Sequence, residues 1–192
     1  YAMAKGLTDT SAYPYEGSQG DCPSEDVSLS QGKWALQGRS SVVLGLSGYA
    51  TLPSNQARPL MENLVQGPVA ISVAASSWML YSSGIFDDCE KDAVVNHAVV
   101  LVGYGKDGGH NYWNVQNSWG KSWGEEGRIR IFRHGTPEED TDYCGTDHKP
   151  EDGIECKPYR DSVTVCGMCG ILFDSVAAHF GPGSSKVLRG GR

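Results

Sequence analysis

The sequence predicts an α+β fold organised around an antiparallel, barrel-like sheet, and two observations carry that expectation. The spacing of apolar residues switches from helical to alternating at Gly67-Pro68. Beyond that point three strand-like stretches, His97–Tyr104, Tyr112–Asn117 and Arg128–Phe132, follow one another across short, turn-bearing connections, as antiparallel neighbours do.

Taken in order, Tyr1–Lys5 reads as the last turn of a helix stopped by Gly6. Residues 8–56 are rich in Ser, Gly, Thr and Pro and predict loops with short strands, Gly32–Gln37 and Val42–Leu46 being the alternating stretches. Between Arg58 and Gln66, Leu60, Met61, Leu64 and Val65 share one face of a short helix that Gly67-Pro68 ends. Val69–Val73 predicts a buried strand, Ser77–Tyr81 a helical turn, and His97–Tyr104 a nearly continuous apolar strand. Gly108-Gly109 turns the chain into the next strand, and Arg128–Phe132 alternates as a third. Residues 134–168 form a long polar connection containing Cys144, Cys156 and Cys166, and 181–192 read as a flexible Gly/Ser/Arg tail.

Composition removes several function classes. Lys and Arg number 16 against 23 Asp and Glu, a net charge of −7 that repels a phosphate backbone, so no nucleic-acid partner is expected. No apolar run is long enough to span a membrane. Six cysteines suggest disulfides formed along a secretory or lysosomal route, although no signal peptide opens the chain. Gly103-Tyr104-Gly105-Lys106-Asp107-Gly108 matches a dinucleotide fingerprint, but a strand rather than a helix follows it, so a hairpin turn is the better reading.

His97 opens one strand and Asn117 closes the next, so a hairpin brings them side by side. An imidazole beside an amide oxygen is a common structural pair; it is also the second and third members of a Cys-His-Asn set, in which the amide fixes the tautomer and orientation of the ring. Val95-Asn96-His97-Ala98-Val99-Val100-Leu101-Val102-Gly103-Tyr104-Gly105 and Tyr112-Trp113-Asn114-Val115-Gln116-Asn117-Ser118-Trp119-Gly120-Lys121-Ser122-Trp123-Gly124 decide between the two. Together with Tyr13-Pro14-Tyr15 and Cys22, Gly67-Pro68-Val69, Gly84-Ile85-Phe86 with Cys89, and Cys169-Gly170-Ile171, they resemble the papain-like cysteine proteases, the cathepsin family.

The resemblance implies a cysteine-type endopeptidase with His97 as base and acid, Asn117 orienting it, and Trp119 shielding their hydrogen bond. It implies a papain-like fold in which residues 1–180 are the C-terminal part of the peptidase domain, with its right-hand, sheet-containing domain, and in which residues 134–168 are an insertion longer than the link usual in the family. The nucleophilic Cys of the family lies about 130–150 residues before its His, so here it is expected about 33 to 53 residues before Tyr1, in a left-hand helical domain that this chain lacks. The expected partners are that missing half and a peptide substrate, and the chain alone is expected to be inactive. A non-catalytic papain-like binding or storage protein is the alternative, decided by the residue at the upstream nucleophile position.

Cys166-Gly167-Met168-Cys169 imitates a nucleophile motif but follows His97 and lacks the aromatic after its second Cys. A zinc site from Cys144, Cys156, Cys166 and Cys169 with His148 is weighed against disulfides and set second, because only one C-x-x-C is present; no cofactor is expected. The resemblance pairs Cys89 with Cys169 and builds a substrate pocket from Ser72, Val95, Asn96 and Ala98, with Asp174 at its floor. It also implies a lysosomal, vacuolar or secreted location. A cleft between two domains needs two walls, so an apolar face involving Val69, Ile71, Val99 and neighbours near the His97 end of the sheet is expected to be exposed.

Overall fold

The computed structural model describes residues 7–8, 41–153, 161–180 and 185–188. The expected turn at Tyr1–Lys5, the Gly32–Gln37 stretch, Tyr13-Pro14-Tyr15, Cys22 and Cys156 lie outside the described residues. The chain divides into two compact units, Ala50–Ala177 and a second made of Tyr1–Tyr49 with Ala178–Arg192. In the second, β1 (Leu7–Thr8) and the strand Ser185–Leu188 both pair antiparallel with β2 (Ser41–Leu44), so part of the segment read as a tail is paired.

The larger unit is built mainly on a seven-stranded sheet. Its strands are β3 (Gly48–Thr51), β4 (Val69–Val73), β5 (Ile85–Phe86), β6 (His97–Asp107), β7 (His110–Gln116), β8 (Arg128–Arg133) and β11 (Ser175–His179), in the order β3-β11-β4-β6-β7-β8-β5. The β6–β7–β8 meander follows from tight connections between alternating stretches. The helix expected over 58–66 is α1 (Ala57–Leu64), which buries Ala57 and Leu60, and its end at Gly67-Pro68 restarts the chain as β4.

Burial alternates cleanly. Val99 and Leu101 of β6, Trp113 and Val115 of β7, and Ile129 and Ile131 of β8 point into the core with Val69 and Ile71 of β4. The expectation that Val69, Ile71 and Val99 form an exposed apolar face is therefore wrong: they are 0%, 2% and 6% exposed. The face with a period of two is right but its phase is not, and the exposed apolar residues are their neighbours Ala70, Ala98, Val100 and Val102. Residues on the helix-facing side pack against α1 and Trp78, which an alternating pattern alone cannot reveal.

The long polar connection acquires structure of its own. Thr136 accepts from Glu139 N–H while Glu139 accepts from Thr136 N–H, a capping box that starts α2 (Pro137–Asp142). β9 (Cys144–Asp147) and β10 (Val163–Cys166) then pair antiparallel, with Cys144 opposite Cys166 in a disulfide. Asp140, wholly buried, ties this insertion to the sheet by accepting from Trp113 Nε1 at 3.0 Å, His134 Nδ1 at 2.9 Å and His134 N at 3.1 Å.

Candidate active site

His97 is the first residue of β6, and Asn117 follows the last residue of β7. The hairpin brings them together as expected: His97 Nε2 lies 2.9 Å from Asn117 Oδ1. Asn117 is 6% exposed, and its Oδ1 also accepts from the Ser118 N–H at 2.8 Å. A backbone N–H can only donate, so the amide oxygen faces both groups and the proton between Asn117 and His97 belongs to Nε2. Nδ1 is then the basic nitrogen of a neutral ring, the atom free to exchange a proton with a reacting group. Asn117 Nδ2 is buried without a partner among the described residues.

Aromatic rings enclose the pair. Trp119 lies with its centroid 5.3 Å from that of His97, tilted by 33°. Trp78, fully buried, meets His97 edge-on at 6.3 Å and stacks on Trp123 at 6.3 Å; Trp123 Nε1 donates to Trp78 O at 3.2 Å. This apolar wall excludes water from one side of the hydrogen bond and strengthens it. Trp78 carries no motif; as a tryptophan in a short helical turn it reads as core until the tertiary structure sets it against His97.

The turn after Trp119 is held from below. Asn117 N–H donates to Gly127 O at 2.9 Å, and Glu125 joins this turn to two other elements by accepting from Gly84 N–H and from Nε and Nη2 of Arg130 at 2.7–2.9 Å. The hydrogen bond from Arg130 holds the Glu125 carboxyl below its ordinary value. A depressed carboxylate stabilises the fold above its unfolded value of about 4.5 and ceases to as pH falls through the lower, folded value. Glu125→Gln is accordingly expected to lower stability at pH 7 by about 1 kcal/mol, a difference that shrinks as the pH is lowered through the folded carboxyl's value and that thermal melts over a pH series measure.

The expected pocket residues are not all brought together. Ser72 pairs with Ala98 across β4 and β6, one step from the Val73–His97 pair. Ser72 N–H donates to Asp174 O at 3.1 Å and Ser72 Oγ to Asp174 Oδ2 at 2.7 Å, so Asp174, Ser72 and Ala98 form one row across the sheet beside His97. Asp174 is half-buried, with Oδ1 unpartnered among the described residues. Asn96 is exposed and clamps the neighbouring loop, its Oδ1 accepting from Ala75 N–H at 3.2 Å and its Nδ2 donating to Ser76 Oγ at 3.0 Å. Val95 is a correction: it is 0% exposed, sealed beneath Val163 and Val165 with Phe173 against them, and lines no open pocket. The insertion that covers it has no counterpart in the motifs, so the expectation had no means of including it.

Cys89 and Cys169 form a disulfide with Cα atoms 5.1 Å apart. This bridge and Cys144–Cys166 occupy three of the sulfurs that the zinc alternative needs. The side chains assembled here can hold an oriented imidazole next to a row that ends in a carboxylate.

Residues 1–153 match the profile of the papain family of cysteine proteases. A viral cathepsin of Adoxophyes honmai nucleopolyhedrovirus is 38% identical over 131 residues, covering 68% of this chain and 35% of that protein. Vignain of Phaseolus vulgaris is 35% identical over 133 residues, covering 67% and 33%. The solved structure of the bromelain protease from Ananas comosus in complex with the E64 inhibitor superposes with a TM-score of 0.62 at 28% identity, over 93% of this chain and 65% of that one. The chain spans about a third of the length of the curated relatives it matches.

Proposed function

Because the chain belongs to the papain family of cysteine proteases and has the papain-like fold, we propose that the full-length protein carrying it is a cysteine-type endopeptidase with His97 and Asn117 in its catalytic set. The observation that supports this best is the Nε2–Oδ1 hydrogen bond at 2.9 Å beneath Trp119. With Nε2 held by Asn117, Nδ1 faces the place of a thiol, which a segment preceding Tyr1 supplies in this reading. Nδ1 takes the thiol proton, and the resulting imidazolium stabilises the thiolate. Sulfur attacks the peptide carbonyl carbon. As the C–N bond breaks, Nδ1 returns the proton to the leaving amine, and an acyl thioester remains. Water then attacks the thioester, giving its proton to Nδ1, and the thiol leaves protonated by the same nitrogen. The missing left-hand domain, residues 1–180 as the C-terminal part of the peptidase domain, and a lysosomal, vacuolar or secreted location belong to this reading; the two disulfides support the last of these. No described helix is long and apolar enough to cross a membrane.

The test is hydrolysis of fluorogenic peptides by the full-length protein, with stoichiometric loss of activity on alkylating one thiol. A folded protein that binds peptides without cleaving them would support the alternative of a papain-like binding or storage protein.

Asp174 sets the expected specificity. Its free carboxylate oxygen at the end of the Ala98–Ser72 row attracts a guanidinium, while the hydrocarbon around it accepts Leu or Phe. The full-length enzyme is expected to accept both Arg and apolar residues as the second side chain before the scissile bond. Asp174→Ala should lose the preference for Arg by about 1–3 kcal/mol in kcat/KM and keep the one for Phe. Equal Arg-to-Phe ratios in the two proteins would remove Asp174 from the pocket.

A further inference from the structure

The strand carrying His97 begins on an unusual support. In an antiparallel ladder successive N–H groups point to opposite sides. Asn96 N–H meets β4, donating to Val73 O at 3.0 Å, so Val95 N–H points the other way, where β7 has not yet begun to pair: the β6–β7 ladder runs from Val100 onward. Left alone, this fully buried N–H would be an orphan. The insertion supplies its acceptor. Asp147 Oδ2 accepts from Val95 N–H at 3.0 Å while Oδ1 accepts from Lys149 N–H at 2.8 Å.

Asp147 is itself 0% exposed, and no cation lies within ion-pair distance of it among the described residues. A buried carboxylate is costly unless its oxygens are satisfied, and both of these are taken up by backbone donors. The packing around the contact is close. A Cβ on Gly153 would sit 1.9 Å from Val95 O, and one on Gly145 would sit 1.8 Å from Lys91 O, so only glycine lets the insertion lie against 91–96. Thr146 N–H adds a bond to Asp92 Oδ1 at 2.8 Å.

We infer that Asp147 is a positioning residue for His97: by holding Val95 N–H it stands in for a missing strand and sets the start of β6, and with it the line between the imidazole and Asn117. The insertion is thus part of how the base is aimed. This rests on the peptidase reading for its kinetic arm alone.

The experiment compares Asp147→Ala, Asp147→Asn and Gly153→Ala in the full-length protein, with melts to establish folding. Asp147→Ala removes the acceptor, and Gly153→Ala pushes the same backbone from its carbonyl side. Both are expected to lower kcat about 10- to 100-fold with KM changed less than about twofold, since a base displaced by a fraction of an ångström to 1 Å loses this much. Asp147→Asn keeps an oxygen for Val95 N–H and is expected to stay within about threefold of the wild type. In ¹⁵N-histidine spectra, His97 is expected to show a fixed Nε2–H tautomer in the wild type and in Asp147→Asn, and averaged ring nitrogens in the other two.

Wild-type kcat in both disruptive variants would overturn the inference, as would a rise in KM alone, which would assign the insertion to substrate binding. Loss of cooperative melting in both would overturn it too, by making the contact a structural staple. If the wild-type protein hydrolyses nothing, the peptidase reading fails, and the tautomer of His97 still decides the positioning role.

Discussion

In the full-length protein, His97→Ala is expected to lower kcat/KM for peptide hydrolysis by at least about 10³-fold, because every proton transfer in the proposed cycle passes through Nδ1. Asn117→Ala should cost less. Its Oδ1 accepts one hydrogen bond from Nε2 and one from Ser118 N–H, and their loss leaves two donors unpartnered in a site where Asn117 itself is 6% exposed. An unsatisfied buried partner costs about 1–3 kcal/mol, which corresponds to about 5- to 160-fold in kcat/KM. The order of the two effects distinguishes base from orienter. An Asn117→Ala variant as impaired as His97→Ala would mean that the amide does more than orient the ring. A His97→Ala variant with wild-type kcat/KM would end the catalytic assignment altogether.

Removing the Cys89–Cys169 bridge is expected to produce the largest stability loss of any single covalent change in the described residues. It closes a separation of 80 residues, and the chain-entropy treatment gives about 4.5 kcal/mol for a loop of that length. The Cys144–Cys166 bridge, with a separation of 22, lies inside this loop and shortens the free path around it, so the outer bridge is worth slightly less, about 4 kcal/mol, while the inner one is intact. In a chain of this size 1 kcal/mol corresponds to about 2–4 °C, so the Cys89→Ser, Cys169→Ser double variant should melt about 8–16 °C lower. The loss should reach the site as well. Ala74 N–H donates to Cys169 O at 2.9 Å, and Ala75 N–H is the group that Asn96 clamps beside His97. Scanning calorimetry of the double variant tests this; a Tm within about 2 °C of the wild type would show that packing around the nearly buried Cys169 holds this region without the bridge.

Much of the sheet and the pair at its end were legible in the sequence because they depend on neighbours along the chain. A change of period at Gly67-Pro68 marks the passage from α1 to β4, and Gly108-Gly109 makes β6 and β7 a hairpin. A hairpin leaves almost no freedom in where its two open ends meet, so His97 and Asn117 were recognisable as partners from their positions in Asn96-His97 and Asn117-Ser118-Trp119. The chemistry of an imidazole beside an amide oxygen follows from residue type alone.

What only the tertiary structure decided has a different physical origin. Which face of an alternating strand is buried depends on what lies against it, and so Val69, Ile71 and Val99 proved to be core while Ala70, Ala98, Val100 and Val102 face outward. Residues 134–168 look polar because much of their stabilisation comes from directed bonds to distant groups: Asp140 to the indole of Trp113, Asp147 to the backbone of Val95, Cys144 to Cys166. Such bonds join positions tens of residues apart and leave no periodic trace, since a buried Asp and a solvated Asp are the same letter. The same insertion seals Val95 away from the pocket it was expected to line. Sequence therefore determined that His97 and Asn117 meet at the end of a hairpin, through local geometry; the three-dimensional packing of a segment without a repeating pattern decided how the strand bearing His97 is supported.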